Sequence, residues 1–473
     1  MISDPGGTVG GTATIEATAT ASGNLLIDYL ELMPRSVGAC VADPTPVTGD
    51  PAAFSPGFAL PEPTEEVREF YSAATAGWRP LGEYAGHRLS LLDLTGNPGT
   101  HTTKTFPSLL IVARAVEYIR RTGEPVTIFS PTSANKGTAL RDAVLRAIDA
   151  NLVTPEQLRV VILAPWSCRD KLRASRLSAD ARLRELNPLL LYTGGEPEAV
   201  KRIGREFADR HAAQLKRRHG TNLWFSLELT NYLVADTARA YFEQDADPTD
   251  ATGRPRLHAH AVSSAFGLLG YHRGRAVLEH GGQASVASRP ASLLVQHMAT
   301  SDMVLSLRRG SFERDNLPSY RRDPATGLYH QDAEEADPRF PATIHDPDEV
   351  LDPTFYTRRP VTSAAMNAII GRFGGDGIVV SLHECLERYP AIRARLAGHG
   401  RGLPADFRTL REWSLVMAMT GVFNAIDRGL VEPGADIVVH GSGWYATPDY
   451  QTPDLSTTPT VESVADVAAA VLG

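Results

Sequence analysis

Short, near-continuous apolar runs alternate along the chain with longer stretches whose apolar residues recur three and four apart, and the two periods predict different elements. Arg88–Leu94, Val126–Ser130, Arg159–Pro165, Leu189–Gly194, Leu223–Leu229, Leu257–Ser263, Leu293–Met298, Ile378–Leu382 and Asp436–His440 read as strands. Most are apolar on both faces, as parallel strands covered by helices are. Ser108–Arg121, Thr138–Asp149, Pro197–Arg217, Tyr232–Gln244, Ser363–Arg372 and Leu410–Arg428 read as amphipathic helices. The alternation predicts a doubly wound α/β architecture, with parallel sheets flanked by helices. Residues 1–25, rich in Thr, Ala and Gly with no stable period, are expected to be a mobile tail outside the fold. Residues 41–66 are crowded with Pro and turn formers and read as an irregular strap. Asp315–Arg359 is polar and too long for an ordinary connection, which predicts a lid, an interface arm or a disordered insertion.

Composition narrows the class. With 42% of 473 residues hydrophobic and 22% charged, the chain is neither disordered nor fibrous. A formal charge of −8 and the lack of a strongly basic block argue against a nucleic-acid partner. No apolar run approaches the ~20 residues that span a bilayer, and Met1-Ile2-Ser3-Asp4 lacks the features of a signal peptide, so a cytoplasmic protein with no membrane partner is expected. Cys40, Cys168 and Cys385 are too widely separated for a metal-ligand spacing or a disulfide framework. Among the 47 basic residues only five are lysines, Lys104, Lys136, Lys171, Lys201 and Lys216, so chemistry that needs a primary amine has few candidates.

The segment from Leu94 to Pro107, with Asn97-Pro98-Gly99-Thr100-His101-Thr102-Thr103-Lys104 at its centre, is a hydroxyl-rich turn that delivers a lysine to the start of a helix. The helix dipole opposes a cation there and favours the neutral amine that imine chemistry requires, although a plain surface lysine in a capping turn has the same pattern. Pro131-Thr132-Ser133-Ala134-Asn135-Lys136-Gly137-Thr138-Ala139 is a polar loop running into the next helix, either an anion site or simply an N-cap through Ser133 or Asn135. It lacks the P-loop spacing. His258 and His260 share one face of a strand and suit a metal, but no third ligand is identifiable, so a structural pair and no metal are expected.

The two loops together resemble signatures of the pyridoxal-phosphate enzymes of fold type II, the tryptophan synthase β superfamily, most closely its threonine synthase branch. Asn97 to Lys104 is similar to Asn-Pro-Thr-Gly-Ser-Phe-Lys with one residue inserted, and Thr132 to Ala139 to Thr-Ser-Gly-Asn-x-Gly-x-Ala. The likeness continues in order through Val160–Lys171, Tyr192-Thr193-Gly194-Gly195, Thr230-Asn231-Tyr232 with Ala238-Arg239, Tyr241 and Glu243, then Glu412-Trp413-Ser414 and Ile437–Gly443, covering roughly residues 60 to 445.

The resemblance implies two open twisted sheets with pyridoxal 5'-phosphate in the cleft between a large domain (61–125 and 231–473) and a small one (126–230), residues 1–60 being a flexible or irregular extension and 315–359 an insertion. It implies a homodimer. It makes Lys104 the Schiff-base lysine and the catalytic base, and places Asn135 on the cofactor's phenolic oxygen. Thr102, Thr103, Ser133 and Ala134 would bind an amino acid substrate, Ser133 and Ala134 at its carboxylate, and Lys136, with arginines of the insertion, would recognise an acidic group unless these cations are only solvated. Three departures stand out. The phosphate loop reads Ser263-Ser264-Ala265-Phe266-Gly267 instead of a glycine-rich run, His440 stands where a Thr or Ser contacts the pyridine nitrogen with Ser442 as second candidate, and Thr105 replaces the acid after the lysine. The expected reaction is elimination or replacement at Cβ or Cγ of an amino acid in a specialised biosynthetic role. The alternatives are a catalytically silent binding module, which the altered loop suggests, and a racemase or cysteine synthase-type enzyme.

Overall fold

The computed structural model describes residues 20–248, 253–334, 336–398 and 402–473. Each strand expected from the apolar runs forms, and the strands divide between two sheets. The larger sheet runs Ala21–Asn24, Thr75–Tyr84, His87–Asp93, Asp436–Gly441, Arg256–Ala261, Ala291–His297, Gly375–Val380, antiparallel across its first two pairings and parallel across the rest. The smaller runs Thr460–Val461, Leu189–Tyr192, Leu158–Pro165, Val126–Pro131, Asn222–Phe225, all parallel. The helix Thr105–Thr122 is buried on nearly every side, and its apolar residues join those of Ala134–Asp149 and Thr230–Ala246 in one core that extends across both sheets. No helix of the described residues is long and apolar enough to cross a membrane.

Five expectations change. Residues 1–19 of the expected tail lie outside the described residues, but Ala21–Asn24 is an edge strand and Leu25 and Leu26 are fully buried against the main core. The segment 21–60 is packed: Met33–Cys40 is a helix, Ser36 bonds the Tyr241 hydroxyl at 2.7 Å, and Gly57 accepts a bond from buried Arg114 at 2.5 Å. A turn-rich composition hid these anchors because they are single residues, without a period. The helix expected over Leu410–Arg428 begins only at Ser414, since Leu410–Glu412 is a strand paired with Tyr445–Ala446. The stretch 231–473 does not stay with the larger sheet: Thr460–Val461 completes the edge of the smaller one and helix Val464–Leu472 packs in its core. The insertion 315–359 is ordered around a three-stranded antiparallel sheet, with Phe340 and Ile344 buried.

Candidate active site

Parallel α/β sheets leave room for ligands beyond the carboxyl ends of their strands. Here His87–Asp93 leads to the Lys104 loop, Val126–Pro131 to Thr132 and Ser133, Arg256–Ala261 to Ser263–Gly267, and Asp436–Gly441 to Ser442. All four segments meet at one cavity of about 190 Å³ between the two sheets.

Thr102, Thr103, Lys104, Ser133, Asn135, Lys136, Ser263, Ser264, Ala265, Phe266, Gly267 and Ser442 all line it. Ala134 and His440 do not. Ala134 is the first residue of its helix and is fully buried.

The Lys104 loop is held by its own polar groups. Asn97 accepts from Gly99 N at 2.9 Å and donates to Asp142 at 2.9 Å and to Thr105 Oγ1 at 3.1 Å. Within the loop His101 takes a left-handed conformation, φ +51°. Lys104 then caps the helix Thr105–Thr122, and its Nζ lies 5.3 Å from the centre of the Tyr232 ring. That amine makes no hydrogen bond or ion pair among the described residues. Burial holds its amine below the usual lysine range; Arg239 acts in the same direction, while Asp236 and Glu412 oppose it. Ser133 caps its helix through the backbone only, without a side-chain bond, so the simple N-cap reading does not account for its hydroxyl.

Asn135 is fixed on both ends of its amide: Nδ2 donates to Glu412 Oε2 at 2.6 Å, and Oδ1 accepts from the Tyr445 hydroxyl at 2.7 Å. Glu412 also accepts from Lys171, which is buried and bonded to Asp352 as well, each contact being 2.7 Å. The insertion therefore reaches the site through Asp352, and its residues Thr354 to Thr357 form part of the cavity wall. Its arginines do not: Arg358 pairs with Asp302 and Arg359 with Glu313, against the expectation that they recognise a substrate anion.

His440 is the main correction. Arg239 Nη1 donates to its Nδ1 at 3.1 Å, and its Nε2 lies 2.8 Å from His258 Nδ1. His258 Nε2 lies 3.1 Å from Glu243 Oε1. A guanidinium only donates, so the chain has one consistent direction: Arg239 to His440, His440 Nε2–H to His258, His258 Nε2–H to Glu243. Burial lowers the pKa of both histidines, which keeps them in these neutral tautomers. Both ring nitrogens of His440 are thus used, and none remains for a pyridine nitrogen. Ser442, the second candidate, is on the wall.

At the other end of this chain Arg239 itself lines the cavity, donating to Thr103 Oγ1 at 2.5 Å and to Asp236 at 2.9 Å. Arg239 has no role assigned from the sequence; the available signal is an Asp–Arg pair three apart, Asp236 and Arg239, in the buried middle of helix Thr230–Ala246. Tyr232, Thr354 and Tyr356 carry no such signal.

The loop Ser263–Gly267 is arranged without its usual glycines. Ala265 supplies the left-handed residue, φ +50°, that starts helix Phe266–His280, and the Phe266 ring packs against Tyr232 with centroids 5.1 Å apart. Gly267 is required where it stands, because a Cβ there would lie 2.4 Å from Arg239 Nη2. Gly267→Ala is expected to cost about 1–3 kcal/mol of stability by overpacking, read from urea unfolding. Arg239→Ala in the same chain is expected to relieve it.

The fold and this cleft define a class: a two-sheet α/β protein with the architecture of threonine synthase. Escherichia coli threonine synthase is similar with a TM-score of 0.51 at 14% identity, over 86% of this chain and 77% of that one. Yeast threonine synthase (0.48, 11%, 86% and 75%) and the L-serine ammonia-lyase of Rhizomucor miehei (0.46, 12%, 80% and 94%) are also similar. No curated protein sequence matches. A model described as a family of unknown function, DUF6002, matches residues 21–473, and the chain belongs to that family.

Proposed function

We propose that this chain is a pyridoxal-phosphate-dependent enzyme that eliminates or replaces a group at Cβ or Cγ of an amino acid. The observation that carries this reading is a lysine amine, kept below its usual pKa by burial, facing a helix N-terminus and two serines across one cavity. The residues fit the cofactor. Lys104 would bond it covalently, and Asn135, locked by Glu412 and Tyr445, keeps one amide hydrogen for its oxygen. Ser263, Ser264 and the start of Phe266–His280 offer an anion site, where hydroxyls and backbone N–H groups substitute for a glycine run. Thr102 Oγ1 and His260 Nε2, buried with no hydrogen-bond partner among the described residues, also belong to residues on the wall and would gain one.

The bound cofactor delocalises negative charge from Cα of an amino acid. The protein's own groups supply the rest. Lys104 Nζ, when free, takes the Cα proton; burial keeps it neutral enough to do so. Ser133 presents a hydroxyl at a helix start, where a substrate carboxylate is favoured. Phe266, Tyr232 and Tyr356 give the wall aromatic faces.

Purified chain mixed with pyridoxal phosphate is expected to develop a near-ultraviolet to visible band that borohydride abolishes, with the reduced adduct on Lys104 by peptide mass mapping. Product analysis with L-serine, L-threonine and O-phosphohomoserine then assigns the reaction. An adduct on Lys136 alone, or no band at all, refutes the assignment.

A further inference from the structure

The chain uses arginine almost everywhere a cation is needed, yet of its five lysines Lys104, Lys136 and Lys201 line the single cavity described above and Lys171 is bonded to Glu412 of its wall. Lys136 is the least explained of them. Only 4% exposed, it donates to the Ser226 carbonyl at 2.6 Å, and among the described residues no carboxylate lies within ion-pair distance. Its Nζ lies 5.8 Å from the centre of the same Tyr232 ring that Lys104 overlies.

We propose that Lys136 and Lys104 form a coupled pair of amines that holds one proton between them, so that one nitrogen is a neutral nucleophile or base while the other is an ammonium donor. This deepens the proposed function in one respect: it assigns Lys136 a proton-holding role in the same site, in addition to any contact with substrate.

The physical basis is the cost of placing two ammonium ions, both buried, at one cavity with no carboxylate ion-paired to either among the described residues. The groups around Lys136 are few. Lys104 approaches from the start of Thr105–Thr122 and opposes its charge; Glu228, from the loop after Asn222–Phe225, favours it, but that carboxylate is already bonded to Arg114 at 2.7 Å. Tyr232 offers a ring face, and Asp236, Arg239 and Glu412 act on Lys104. Burial is the largest cause, repulsion from Lys104 the second, and together they lower Lys136 to about 7. Because the two sites interact, the protons come off in steps that belong to the pair.

Trace acetylation of the full chain by acetic anhydride from pH 5 to 11, quantified lysine by lysine by mass spectrometry without added cofactor, tests this. Lys136 is expected to titrate near pH 7. In Lys104→Met its midpoint is expected to rise by more than one pH unit, whereas Lys104→Arg, which fixes a positive charge at that position, is expected to leave it at 7 or below. A wild-type midpoint above 9, or equal shifts in the Met and Arg variants, overturns the proposal, the latter because packing alone would then explain the change. No cofactor is present, so a protein that never binds pyridoxal phosphate would still give a clear answer, and failure of the proposed function is seen separately.

Discussion

Lys104→Ala is expected to form no borohydride-stable adduct with pyridoxal phosphate and to lose turnover by roughly 10²- to 10⁴-fold from removal of the proton-transfer group alone. The expectation follows from position. The amine sits at a helix start, beneath an aromatic ring and beside Arg239, with no hydrogen bond to hold it in place. Burial and Arg239 both disfavour its protonated form. Supplying a primary amine such as methylamine to Lys104→Ala is expected to restore part of the activity, since the cavity left by the side chain adjoins the same wall residues. A variant that keeps full turnover would mean that the proton passes elsewhere, with Lys136 the first place to look.

Lys171→Met is expected to cause the largest loss of stability, about 3–5 kcal/mol by urea unfolding, because it strands two carboxylates, Asp352 and Glu412, that are wholly buried. Glu412 would be left with hydrogen bonds from Asn135 and Ser414 but no cation, so cofactor affinity is expected to fall along with stability. The direction with pH follows from the two carboxylates, which raise the lysine above its ordinary range although burial alone would lower it. Its contribution is complete below the unfolded value of about 10.4 and declines only above it, so the difference between wild type and variant should hold steady from pH 6 to pH 9. Asp352→Asn added to Lys171→Met is expected to recover part of the loss. A cost under 1 kcal/mol for Lys171→Met would show that water reaches these groups.

The local parts of the site were legible because chemistry and backbone are written in the same few residues. Lys104 follows a hydroxyl-rich turn and precedes a helix, and Ser133 and Asn135 open the next one, so short-range patterns made both candidates and the resemblance chose between their readings. His440 was misplaced for a related reason. It occupies the expected position at the end of its strand, yet Arg239 on a helix 201 residues away in sequence claims one nitrogen and His258 the other. Which way a ring turns is decided by its partners. The insertion arginines look available in the sequence and are paired in the fold. Phe266 looks like an obstacle in a phosphate loop, and packing turns its ring onto Tyr232.

By itself, the sequence determined the alternating elements and the lysine loop, because hydrophobic period and turn chemistry act over a few residues and need no distant partner, whereas the division into two sheets came only as what the resemblance implies. Tertiary structure alone decided what closes the site: that Glu412 joins Asn135 to Lys171, that Asp352 of the insertion completes that ion pair, that Arg239 reaches the wall beside Gly267, and that two amines share one cavity. Those are contacts between segments far apart in the chain, and whether a buried charge is paired or isolated depends on which side chains the fold brings within a few ångströms of it.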